Sequence, residues 1–145
     1  MSTILYRAGS FFYHFGVAVT ILALITIATL AALASTGAVS PDVNQLLYRL
    51  ATIFGFSAMA GALLGHLSGR VLGAFIPQVS QAMSIWVILT YFLPVYAPLT
   101  ATLVTLISLL PLPTPVVAGL SSVVYTFVAF AMIYYIAVKV GAAPA

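Results

Sequence analysis

From Phe11 to Val39 the chain reads FFYHFGVAVTILALITIATLAALASTGAV, with no charged side chain anywhere in it. At about 1.5 Å of rise per residue, a helix of that length more than crosses a hydrocarbon core of about 30 Å. Three further apolar stretches follow. Only 3% of the residues are charged, against about 25% in a soluble domain. Five formally charged side chains, four basic and one acidic, cannot cover a water-soluble globule. The sequence therefore predicts an all-α integral membrane protein, one membrane domain of four transmembrane helices with no soluble domain attached.

The first stretch also shares features with a secretory signal peptide. Arg7 precedes the apolar run, and ALA at 32–34 precedes Ser35. The run is about twice the usual 7–15 residue signal core, so it reads as a retained first membrane helix, near 5–39. Ser40, Pro41 and Asp42 then form a helix start: a capping hydroxyl, a proline at the first helical position and a carboxylate facing the positive helix end. This second helix is expected over 41–73, ending before Pro77. The third, over 79–110, contains Pro94 and Pro98. Each removes a backbone donor and crowds the preceding turn, so the helix is expected to be Pro-broken, either kinked or split into two half-helices. Carbonyls freed in that way must find partners inside the protein. PLPTP at 111–115 is a turn. Thr114 and Pro115 open a fourth helix to about residue 140.

Four crossings place both termini on one side, together with Arg7, Arg70 and Lys139. Arg49 and Asp42 fall on the other. The positive-inside bias then gives an N-in, C-in orientation in a cytoplasmic-type membrane. Phe11, Phe12, Tyr13, Trp86, Tyr134 and Tyr135 are placed at the inner interface. The basic excess is too small for a nucleic-acid footprint.

Gly61, Gly65, Gly69 and Gly73 lie four residues apart on the second helix, and Ser57 extends the row. Glycine has no Cβ, so such a file forms a groove into which another helix can settle, backbone to backbone. Two partners are open: another span of the same chain, or a neighbouring chain. The small residues of the first helix, TLAALASTGA, lie at the opposite end, so antiparallel pairing does not bring them to the glycines. That mismatch favours Ser57, Gly61, Gly65, Gly69 and Gly73 as a helix-packing or oligomer seam.

Function classes narrow by elimination. With no cysteine, disulfides, thiol nucleophiles, zinc–thiolate sites and iron–sulfur clusters are excluded. No carboxylate lies within a span, which disfavours cation-coupled transport. Asp42 is expected on the opposite side of the membrane from both histidines, so no Ser–His–Asp set forms, and no metal site is expected. Serines such as Ser68 and Ser84 can bond their own helix carbonyls. Tyr91, Tyr96 and Tyr125 fall away from the interfaces and need hydroxyl partners, for which carbonyls freed by Pro94 and Pro98 are candidates; a quinone or lipid pocket is the alternative reading.

The reading is a non-catalytic structural subunit of a larger membrane-embedded or membrane-derived assembly, packed through the glycine zipper. It would be a self-assembling pilus- or secretion-type subunit, extracellular if filamentous, or a small accessory subunit of a respiratory or translocation complex. Its expected partners are membrane lipid, some of it bound, and copies of itself or other membrane subunits; no cofactor is expected. The alternative starts from His14 and His66. Antiparallel helices bring both to the inner half of the membrane, with Arg7 and Arg70 closer to water. HLSGR at 66–70 and YRAGSFFYH at 6–14 resemble the haem-b membrane anchors of the succinate dehydrogenase type, whose pattern has a His followed by Gly and Arg. That resemblance implies a quinone-linked electron-transfer anchor, with haem b held by His14 and His66 and its propionates near Arg7 and Arg70.

Overall fold

A computed structural model of the chain describes residues 2–37 and 40–141. Those residues contain no strand. The helices are α1 (Ser2–Ser35), α2 (Pro41–Phe75), α3 (Pro77–Ala82), α4 (Ile85–Val87), α5 (Leu93–Ser108) and α6 (Thr114–Val140), with a π-helical segment, Ile88–Phe92, joining α4 to α5. Four helices are long and apolar enough to cross a membrane: Thr3–Ser35, Asp42–Phe75, Ile85–Ser108 and Thr114–Val140. Their length and composition point to a membrane-embedded protein.

The helix ends follow local chemistry. α1 stops at Ser35 because Gly37 adopts a positive φ of 74°, a conformation that glycine reaches without a Cβ penalty. Residues 38 and 39, which the sequence assigns to the same helix, lie outside the described residues. At the start of α2, Asp42 sits in the first turn as expected. Ser40 caps through its backbone carbonyl, which accepts from Val43 and Asn44, and not through its hydroxyl. The third span begins at Ile85 rather than near 79, because Ser84 provides an N-cap: its Oγ accepts from the Val87 N–H at 3.3 Å. Residues 77–82 form a separate short helix. At α6, Pro113 rather than Thr114 is the capping residue.

The third span is helical throughout from Ile85 to Ser108. The π-helical turn immediately precedes Pro94, and Pro98 lies inside α5. The carbonyl that Pro98 deprives of its usual N–H partner is that of Pro94. Thr20 of α1 donates its hydroxyl to that oxygen at 3.2 Å, while also donating to the Gly16 carbonyl at 2.7 Å. A threonine from a neighbouring helix, not a tyrosine, meets the demand.

α5 and α6 pack on each other and on both long helices; α1 and α2 share no substantial seam of their own. The cross-section is a rhombus, with α5 and α6 on the short diagonal and α1 and α2 at the far corners. We call the end holding Ser2, the α2–α4 connection and Val140 proximal, and the end holding the α1–α2 and α5–α6 turns distal. The proximal half is closely packed. Every residue of α6 from Ala131 to Val138 is buried, enclosed by α1, α2, α3 and α5. The core joins these residues to Phe92, Tyr96 and Leu99 of the third span. Tyr134 and Tyr135 belong to this core, whereas Phe11 and Trp86 stay exposed. The distal half is open: α1 beyond Thr20, the first half of α2 and the start of α6 are largely exposed.

Candidate functional site

The glycine row of α2 faces inward, Gly61 and Gly65 against the third span and Gly69 and Gly73 against the α2–α4 connection. A Cβ on Gly61 would lie 2.6 Å from Tyr96 Cδ1 and 2.8 Å from Leu93 Cδ1. On Gly65 it would meet Phe92 Cε1 at 2.8 Å, on Gly69 Met83 Cγ at 3.3 Å, and on Gly73 Ser80 Cβ at 2.9 Å. The strip is a bed for the Phe92 and Tyr96 rings, which stack with centroids 4.7 Å apart. Small residues were expected opposite the glycines; Gly61 and Gly65 instead meet aromatic rings and Gly69 a methionine, while Gly73 meets Ser80. A groove without Cβ atoms takes a ring as readily as a backbone.

The closest helix-to-helix approaches lie elsewhere. On α1, a Cβ at Gly9 would run into the Ala131 carbonyl oxygen and lie 2.6 Å from Tyr135 Cβ; one at Gly16 would lie 2.5 Å from Val95 Cγ1. Gly9 and Gly16 fall seven residues apart, two helical turns, so both lie on the packed face of α1, Gly9 against α6 and Gly16 against α5. That spacing was the available signal, and the four-residue row of α2 drew attention from it.

Ser57, the first member of the row, does something different. It is fully buried, and its Oγ lies 2.8 Å from the Tyr125 hydroxyl of α6. Tyr96 donates its hydroxyl to the Tyr125 backbone oxygen at 2.8 Å. The two bonds tie α2, α5 and α6 together at one level. Beside them, α2 and α6 part to leave a cleft of about 840 Å³ that extends along α2 to either side of Ser57. Phe56, Met59 and Leu63 line one wall, Ala118 and Ser122 the other, and Tyr125 contributes to the base. Most of these wall residues are exposed, so the cleft opens sideways. The Phe56 ring meets Tyr125 edge-on, with centroids 5.7 Å apart.

The histidines are not brought together on one helix pair. His14 lies on α1, where its Nδ1–H donates to the Ser10 carbonyl at 2.7 Å and its ring stands 6.0 Å from that of Tyr135. His66 lies on the exposed face of α2, one turn before Arg70, which is also exposed. With α5 and α6 between the two helices, the structure does not provide the facing pair of imidazoles that a shared haem would need. Arg7 is exposed near the start of α1. Lys139 reaches over two rings at the same end, its Nζ 6.0 Å from the Tyr6 centroid and 5.9 Å from that of Tyr135.

Ser68, expected to bond its own helix, is buried, and its Oγ has no hydrogen-bond partner among the described residues. Tyr91, grouped with Tyr96 and Tyr125 from sequence, is exposed. Compared with known protein families, curated proteins and solved structures, the chain matches none of them.

Proposed function

We propose that the chain is a non-catalytic structural subunit of a larger membrane-embedded or membrane-derived assembly, oriented N-in and C-in. The supporting observation is the distal half of α1. Beyond Thr20, only Ala23 and Leu30 of this helix are even partly covered. Large side chains such as Leu24 and Ile25 suit contact with acyl tails. Ala28, Ala31, Ala32, Ala34 and Ser35 are also exposed, and small residues gain little from lipid. In a bilayer they are the residues that let a second helix approach closely. The seam with a partner is therefore this end of α1, while the glycine row of α2 packs the subunit internally. The partner is another copy of the chain or a different membrane subunit.

Mild-detergent extraction followed by native mass measurement tests the reading. The protein is expected to migrate as an assembly larger than one chain. Ala28→Phe combined with Ala32→Phe, one turn apart on one face, should reduce it to a single chain at unchanged helix content. A single-chain mass for the unaltered protein at every concentration would overturn the proposal.

A further inference from the structure

The hydroxyl pair beside the α2–α6 cleft has more donors than bonds. Ser57 and Tyr125 carry two O–H groups, yet they share one hydrogen bond. Whichever atom donates, one hydrogen is left over. Several other hydroxyls of the spans dispose of theirs on the preceding helical turn: Thr52 on the Tyr48 carbonyl, Thr26 on Leu22, and Ser122 on Ala118. Ser57 makes no such bond, and neither does Tyr125. Both are more than nine-tenths buried, Ser57 at 0% exposure and Tyr125 at 7%. A buried donor without an acceptor is costly, and Tyr125 also lines the cleft.

The depth of the pair selects among acceptors. Ser57 adjoins Ala58, the central residue of α2, and Tyr125 lies two residues from Phe127, the central residue of α6. In a bilayer the pair lies close to the midplane. The ester carbonyls of glycerolipids sit at the edge of the hydrocarbon core, about 15 Å away. An acyl chain arriving at this level offers no acceptor. The matching molecule carries a carbonyl on an apolar body that lies within the hydrocarbon. It also needs a flat face for Phe56 and a tail able to leave through the sideways opening.

We propose that the α2–α6 cleft binds a lipid-tailed quinone. One ring carbonyl accepts from the Tyr125 hydroxyl, whose oxygen in turn accepts from Ser57, the ring lies against Phe56, and the tail leaves between α2 and α6. Binding needs only the single chain in a membrane, with or without a partner subunit.

The test uses the full chain in phosphatidylcholine nanodiscs and a photoreactive azido-benzoquinone with an alkyl tail. Helix content measured on the same discs checks insertion, so loss of the membrane setting and loss of the site read differently. Labelling should concentrate on residues 52–64 and 118–126. The same quinone without the azide should displace it; the tail without the ring should not. Ser57→Ala with Tyr125→Phe should weaken labelling about fivefold or more, the equivalent of one hydrogen bond. Ala118→Leu fills the wall without touching the pair and should abolish it. Labelling spread over the outer faces of all four helices, or equal competition by the ringless tail, would show that the cleft holds acyl chains only. Cross-linking of one copy's cleft to a helix of another would make a second copy the occupant. Either result overturns the proposal.

Discussion

Ser57 and Ser68 lie about three turns apart on α2, and both are buried. They are chemically identical, yet their hydroxyls stand in opposite situations. Ser57 is paired with the Tyr125 hydroxyl; Ser68 Oγ has no partner. Removing an unpaired buried hydroxyl recovers its desolvation cost, whereas removing one member of a pair strands the other. Ser68→Ala is therefore expected to stabilise the protein by about 1 kcal/mol and Ser57→Ala to destabilise it by about 1–2 kcal/mol. Unfolding both variants and the parent in the same lipid measures the two effects. Shifts of the same sign would show that the hydroxyl environments are not as described. Sequence spacing alone recorded Ser57 as one more small residue in the glycine row. Its hydrogen-bonding role became visible only when Tyr125 was placed beside it, because nothing in a periodic pattern specifies which residue of a distant helix stands opposite.

At the scale of elements, the three glycine environments differ in what surrounds the missing Cβ. The α2 row is bounded mostly by side chains, of the third span at Gly61 and Gly65 and of the α2–α4 connection at Gly69, and some can yield: Met83 at Gly69 is flexible. Gly9 of α1 is bounded by the α6 main chain at Ala131, which cannot yield without moving a helix. Gly55 and Gly119 have open space within 4 Å. Gly9→Ala is thus expected to force α1 and α6 apart and cost about 1–3 kcal/mol or more. Gly55→Ala should be neutral or gain up to about 1 kcal/mol from helix propensity. Thermal unfolding in one detergent compares them, and equal midpoints would contradict the α1–α6 contact. The helices themselves were legible, since uncharged stretches and proline turns mark them from sequence. The partner of the glycine row was not. The sequence argument assumed that small must meet small, and it assumed neighbours in sequence were neighbours in space. α1 and α2 are consecutive but sit at opposite corners, and the rings of Phe92 and Tyr96 take the place expected for a backbone. Pro94 and Pro98 announced an irregular third span, but that Thr20 would reach the Pro94 carbonyl from another helix was not legible in the spacing.

For the whole molecule, the uneven distribution of packing and charge sets the remaining expectation. The proximal end carries the closed core together with Arg7, Arg70 and Lys139; the distal end carries the exposed half of α1 and Arg49 with Asp42. Basic residues near helix ends favour the side from which a membrane protein is inserted. The proximal, closed end should therefore face inward, and the open distal half should lie toward the outer leaflet. Because the chain has no cysteine, single introduced thiols report sidedness without background. Asn44→Cys places a thiol at the distal end; Thr3→Cys and Val140→Cys place one at each proximal terminus of α1 and α6. A membrane-impermeant maleimide should label Asn44→Cys on intact cells, and the other two only after permeabilisation. The reversed pattern would contradict the N-in, C-in orientation while leaving four crossings intact. Opposite behaviour of Thr3→Cys and Val140→Cys would contradict the even number of crossings itself, and with it the shared depth of Ser57 and Tyr125 on which the quinone site depends.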